Sequence, residues 1–194
     1  MTRESISRAI NPATLVALLA SRSRRSSDKA ELTPAAVLIG LMQVDDDVHF
    51  LLTRRTDSVE THKGQVAFPG GMIEGDETPI EAAIREAEEE IGLQRKDITI
   101  IGMLDDMNTP TGFRVTPVIA LVDAASAMHP NADEVARIFT VPIRYFLDAK
   151  NERTEERFLS GEMRTIFIYE YDGEMIWGVT AFIIKHFIDV VMSV

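Results

Sequence analysis

Residues 86 to 90 read Glu-Ala-Glu-Glu-Glu, which puts four carboxylates into five positions. On a helix, Glu86, Glu89 and Glu90 stand at i, i+3 and i+4 and share one face, while Glu88 points elsewhere. Like charges at that spacing repel. A solvated face usually intersperses Lys or Arg to gain ion pairs, and here Arg85 is the single cation at hand. Two readings stand side by side. The face is plain solvated acid, or it is a set of oxygen ligands for a hard divalent cation, whose charge offsets the repulsion that raises carboxylate pKa values.

The element that must carry this face has clear boundaries. Thr78 suits the N-cap, with Glu81 three residues on as its capping-box partner, and Pro79 falls at the first helical position. Gly92 suits the left-handed C-terminal position. Ile80, Ala83, Ile84, Ala87 and Ile91 follow helical spacing and define a face to bury. The spacing predicts a helix over 78–91.

Around it, AAVLIGLM (35–42), VHFLLTRR (48–55), DITIIGML (97–104), FRVTPVIALV (113–122) and VARIFTV (135–141) read as strands. GQVAF (64–68) reads as a short strand ended by Pro69-Gly70-Gly71. DDMNTPTG (105–112) reads as a loop and PIRYFLD (142–148) as a short helix. RTIFIYEYD and EMIWG form a hairpin around Asp172-Gly173, and VTAFIIKHFIDVVMSV an apolar-faced final helix. Strands mixed with a few helices, without regular alternation, predict an α+β fold or mixed-sheet sandwich. The expected organisation is a helix and polar linker over 1–34, then a domain over 35–194.

The 194 residues carry a formal net charge of −11, against the basic stripe of a nucleic-acid binder. A phosphate-bearing substrate stays compatible, because bound cations invert the local field. The absence of cysteine excludes disulfides, thiolate metal sites and a Cys nucleophile. It fits a reducing compartment, and a cytoplasmic location is expected. There is no signal-peptide pattern and no apolar run of membrane-spanning length. The final helix could serve a homodimer contact as well as docking on the sheet.

The run from Gly71 through Glu77 to Arg85-Glu86-Ala87-Glu88-Glu89-Glu90-Ile91-Gly92-Leu93 resembles the Nudix hydrolase signature, GX5EX7REUXEEXGU, with every fixed position met. Ala87 stands where a bulkier apolar residue is usual. The resemblance implies a Nudix-type α/β/α sandwich around a mixed β-sheet. It implies hydrolysis of a nucleoside diphosphate linked to another moiety, with Mg²⁺ or Mn²⁺ held by Glu86, Glu89, Glu90 and the Gly71 carbonyl. Glu77 is expected to pair with Arg85 and orient the helix. The proton acceptor is Glu89 or Glu134 of the segment NADEVARIF, where Asp133 and Glu134 could also be a solvated turn.

LLTRRTDSVETHKGQVAFPGG (51–71) is similar to the segment of the coenzyme A pyrophosphatase branch, LLTxRSxxLRxHxGQVxFPGG. Thr56 replaces the branch's Ser, and Val59-Glu60 replaces Leu-Arg, which reverses a charge. Downstream, TGFRVTPVIA, DEVARIFTVPI and IWGVTAFII resemble the same branch. That implies cleavage of coenzyme A or its thioesters to 3′,5′-ADP and 4′-phosphopantetheine, with Arg55, His62 and Gln65 as candidate substrate contacts. Each also has a structural alternative: Arg55 could pair with a helix carboxylate, His62 cap a turn, and Gln65 satisfy backbone. Other substrates of the same chemistry, such as ADP-ribose, NADH or a nucleoside triphosphate, stay open. So does a non-catalytic nucleotide sensor, although such a protein would be expected to lose the box glutamates. Phe68 and Trp177 are expected to pack, and His49, His129 and His186 to be structural.

Overall fold

The computed structural model describes residues 11–57, 63–159 and 161–193. A first helix, α1 (Pro12–Ser21), is capped by Asn11, whose side chain accepts from the Ala13 N–H. β1 (Thr33–Val44) and β2 (Asp47–Arg55) form a hairpin turned by Asp45-Asp46, with Asp45 at positive φ. Short strands β3 (Val66–Ala67) and β4 (Gly70–Met72) lead into α2 (Pro79–Ile91). β5 (Ile98–Met103), β6 (Met107–Asn108), β7 (Phe113–Val122) and β8 (Val135–Pro142) complete the main sheet. A ribbon of β9 (Arg153–Leu159), β10 (Glu162–Tyr171) and β11 (Glu174–Trp177) precedes α3 (Gly178–Met192).

The main sheet runs β3-β2-β1-β7-β5, with β4 on β1, β6 on β7 and β8 on β2. β1 and β7 are parallel and the other pairings antiparallel, so the sheet is mixed, as expected. Successive residues of β1 serve opposite faces. Ala36 and Leu38 pack with Ala82, Ala83, Ala87 and Ile91 of α2. Ala35 and Ile39 pack with Ile184, Phe187 and Ile188 of α3, Leu15 of α1 and Tyr169 of β10. Phe50 anchors that second layer, edge-on to Phe68 and Phe187. The three fully buried alanines on α2 let the helix lie close to β1 and β4. Ala82 takes the fully buried place expected of Ile80, which is only partly covered.

Three expectations need correction. Pro69-Gly70-Gly71 does not simply end a strand, because Gly70 and Gly71 pair with Val37 and Ala36. The 105–112 loop contains β6, held by Val115 and Arg114. β9 was not foreseen: Arg153–Leu159 is charged on both faces and carries no apolar alternation, yet it pairs with β10. The polar stretch after α1 is extended and tied to the body. Arg22 and Arg25 donate to Asp105, Arg24 donates to Asp106, and the Arg24 Nε–H reaches the Leu104 carbonyl at 2.9 Å.

The α2 capping box forms as expected: the Thr78 Oγ accepts from the Glu81 N–H, and Glu81 accepts from the Thr78 N–H at 2.8 Å. Gly92 closes the helix at φ 68°. Thr78→Ala should cost about 1 kcal/mol. Thermal denaturation should show it as a Tm lower by about 2–4 °C.

Candidate active site

α2 delivers its carboxylates to the β4 edge at different depths. The Glu90 side chain is only 4% exposed, whereas that of Glu89 is 57% exposed. Glu86 lies between these extremes, with its carboxylate against the α-carbon of Gly71. A methyl group at position 71 would sit 2.3 Å from Glu86 Oε1. Gly71 is therefore required by close approach. Gly71→Ala should push Glu86 aside and weaken Mn²⁺ binding about tenfold or more, with little change in Tm; calorimetric titration would read this.

Arg85 organises the cluster. Its Nε–H and Nη2–H donate to the two oxygens of Glu77 at 2.8 and 3.1 Å. Nη1 donates to Glu86 at 2.9 Å and Glu89 at 3.0 Å, and Nη2 also reaches the Met72 carbonyl. All of the donors of its planar fork are used. The hydrogen bonds that Arg85 donates to Glu77 strengthen the hold of the guanidinium on its proton and lower the Glu77 carboxyl.

Glu90 accepts from Arg55 Nη1 and the Gly70 N–H, each at 3.3 Å. Burial nevertheless pushes its carboxyl up to about 7, with Glu86 and Glu134 adding like charge. Burial also raises Glu86, again with help from Glu89 and Glu134. Glu134, half-buried at the start of β8, thus faces both helix carboxylates. It is positioned by backbone bonds: its N–H donates to the Asn131 carbonyl, and its own carbonyl accepts from the Thr56 N–H.

Among the described residues, no group of three or more side chains converges into metal-binding geometry. The reason is visible, since Arg85 holds Glu86 and Glu89 while Arg55 holds Glu90. The donor chemistry still fits a hard divalent cation. Hard oxygen donors crowd one spot, and a carboxyl that binds its proton up to about 7 lacks sufficient countercharge.

The structure therefore brings Glu77, Arg85, Glu86, Glu89, Glu90, Gly71, Arg55 and Glu134 to one place. Arg55 takes the structural alternative named above, a helix carboxylate, but its Nε–H is buried with no partner among the described residues. The Gln65 carbonyl accepts from the Arg55 N–H, which ties β3 to β2 beside the site. His62 and Glu60 lie outside the described residues. The Gly70 N–H on Glu90 and the Met72 carbonyl on Arg85 were not legible from residue types, because backbone groups carry no residue-type signal. Asp133 is exposed, as a solvated turn would be.

The sequence matches the NUDIX domain family over residues 32–162. The chain belongs to the Nudix family. A Yersinia pestis protein described as an uncharacterized Nudix hydrolase, NudL, is 37% identical over 153 residues, covering 78% of this chain and 76% of the relative. Among solved structures, the Nudix hydrolase RenU of M. smegmatis aligns with a TM-score of 0.52 at 26% identity, over 60% of this chain and 74% of that one. A C. elegans Ap4A hydrolase shares the fold, with a TM-score of 0.50 at 19% identity over 57% and 80% of the two chains. This Nudix hydrolase is thus placed among enzymes that act on nucleoside diphosphate derivatives with the help of divalent cations. Among the described residues, no helix is long and apolar enough to cross a membrane.

Proposed function

We propose that this Nudix hydrolase cleaves the diphosphate of coenzyme A or its thioesters, giving 3′,5′-ADP and 4′-phosphopantetheine or its acyl form, with Mg²⁺ or Mn²⁺ as cofactor. One observation carries the reading. Arg55 and Gly70, which both belong to the segment that resembles the coenzyme A branch, both donate to Glu90.

In this reading Glu86, Glu89, Glu90 and the Gly71 carbonyl hold the cation. When bound, it neutralises diphosphate charge and acidifies a coordinated water. The protein's own residues do the rest. Arg85, braced by Glu77, fixes the direction of Glu86 and Glu89. Arg55 turns its Nε–H, which has no partner among the described residues, toward a phosphate oxygen, which suits the planar guanidinium fork. Glu134 accepts the proton of the attacking water, because Arg85 occupies Glu89 while Glu134 faces Glu86 and Glu90. His62 and Gln65 remain substrate contacts in the proposal.

The test is turnover against coenzyme A, acetyl-coenzyme A, ADP-ribose, NADH and nucleoside triphosphates, with Mg²⁺ or Mn²⁺. Preferred release of 3′,5′-ADP supports the proposal. Preferred cleavage of another substrate in the panel overturns the branch and points to Glu60, whose charge is opposite to the branch's Arg. A Glu134→Gln variant that keeps full activity would return the proton to Glu89.

A further inference from the structure

The pairing of β2 with β8 breaks where it reaches the carboxylate cluster. From His49 opposite Pro142 to Arg54 opposite Arg137 the two strands advance residue for residue, but Arg55 then pairs with Val135. Ala136 is the extra residue of a β-bulge. The bulge exchanges the faces of β8. Phe139 packs in the α3-side core, and residues two apart on a regular strand keep one face. By that count Val135 would also face α3, yet it packs in the α2-side core. The bulge thus turns the start of β8 next to Glu134, the acid that faces Glu86 and Glu90. On β2 the same step leads from Arg54 to Arg55, which donates to Glu90.

The last pair before the bulge is a pair of like charges. Arg54 stands directly opposite Arg137. Side chains so placed have β-carbons about 5 Å apart, and like charges there repel. One carboxylate answers both. Glu174, the first residue of β11, has Oε2 3.5 Å from Arg54 Nε, while its Oε1 accepts from Arg137 Nη1 at 3.2 Å. Its side chain is 14% exposed. Asp172 and Asp57 also meet Arg137 and Arg54, but both are largely exposed, where an ion pair contributes little. Glu174 is therefore the main countercharge of the arginine pair.

Backbone bonds carry this clamp to the site. The Glu134 carbonyl accepts from the Thr56 N–H at 2.9 Å, and the Thr56 hydroxyl donates to the Asp133 carbonyl at 3.1 Å. The Arg55 N–H donates to the Gln65 carbonyl at 2.9 Å. The end of β2 and the start of β8 therefore move together, and the arginine pair fixes the step at which both change direction. Bulges that re-aim side chains beside a reaction centre are a recurrent device.

We propose that Glu174 is a positioning residue for the hydrolysis: by holding Arg54 and Arg137 together it fixes the bulge, and through the bulge the directions of Arg55 and Glu134. It acts from the α3 side of the sheet, while the reaction takes place on the α2 side. The proposal rests on the roles given above to Arg55 and Glu134, not on which diphosphate is the substrate. The experiment measures kcat of the intact protein well below its unfolding temperature, with whichever diphosphate of the panel is turned over. Glu174→Gln keeps the shape and removes the charge, so the two arginines repel and the bulge loosens. Arg137→Gln, added to Glu174→Gln, removes the repulsion.

The expected result is a kcat about tenfold lower in Glu174→Gln, as small misplacements of reacting groups cause. The double variant should return to within about twofold of the wild type, because no like-charge pair is left at the bulge. A plain tether of the β10–β11 turn behaves in the opposite way: removing its second partner lowers Tm further and rescues nothing. In a Glu134→Gln background, Glu174→Gln should cost clearly less than it does alone, since part of its effect passes through Glu134. An unchanged kcat in Glu174→Gln, or a double variant no faster than Glu174→Gln, overturns the proposal. Glu134→Gln and Arg55→Gln separate it from the reading beneath it. If they lose kcat while Glu174→Gln does not, the positioning role alone falls. If both keep full kcat, the roles of Arg55 and Glu134 fall and the proposal falls with them.

Discussion

Glu90→Gln is expected to abolish turnover and, in the absence of divalent cations, to make the protein more stable at pH 8. Burial raises the Glu90 carboxyl from an ordinary 4.5 to about 7. A group raised on folding binds extra protons in the folded state. Its stabilising contribution is therefore present below about 4.5 and is lost as pH rises through about 7. A shift of that size corresponds to about 3 kcal/mol. Glutamine removes the buried charge but also weakens the contact to Arg55, so about 2 kcal/mol net is expected at pH 8. That is a Tm higher by about 4–8 °C. At pH 5 the gap should nearly close, because the wild-type carboxyl is then protonated. Adding Mn²⁺ should raise the Tm of the wild type and do little for the variant. Turnover should fall on the order of 10³-fold, as for other losses of transition-state charge stabilisation. A wild type as stable as Glu90→Gln at pH 8 would show that Glu90 is not strained by burial. Unchanged turnover would remove it from the metal set.

The same residue shows what the sequence could and could not convey. The pattern of α2 was legible: cap, box, left-handed close and carboxylate face all follow from residue types at fixed spacing. Its depth was not. Spacing puts Glu86, Glu89 and Glu90 on one face, but only the approach to β4 makes Glu90 buried and Glu89 exposed. The main strands were legible from apolar runs, and β7 matches its expected range residue for residue. β4 and β6 were not, since two or three residues cannot show a period, and each exists because a longer strand beside it has unpaired backbone. β9 was hidden by charged residues on both faces. An edge strand has a solvated side, and charge there guards against pairing with other chains. The polar stretch after α1 misled for a related reason: Arg-Ser-Arg-Arg has the composition of a linker, but its arginines answer Asp105 and Asp106 some eighty residues away.

Arg85→Ala is expected to lower kcat by about 10²–10³-fold and to destabilise the fold by about 2 kcal/mol. Both effects have one cause. Arg85 bridges Glu77, Glu86, Glu89 and the Met72 carbonyl, so its loss releases carboxylates from α2 and cuts the link to β4. Glu86 is left poorly solvated and without its countercharge, which raises its carboxyl further than burial already does. Arg85→Lys separates charge from geometry. An ammonium restores the charge but cannot span acceptors spread around a planar fork, so it should recover most of the Tm and little of kcat. Glu77→Gln should reproduce part of the kcat loss, and in the double variant with Arg85→Ala the losses should fall well short of additive, because Glu77 acts through Arg85. Full recovery of kcat by lysine would mean that Arg85 supplies only charge. Additive losses would mean that Glu77 acts on the site independently. Subadditive losses with a kcat that lysine does not rescue would locate the effect in the direction Arg85 imposes on Glu86 and Glu89, the two carboxylates it holds at once.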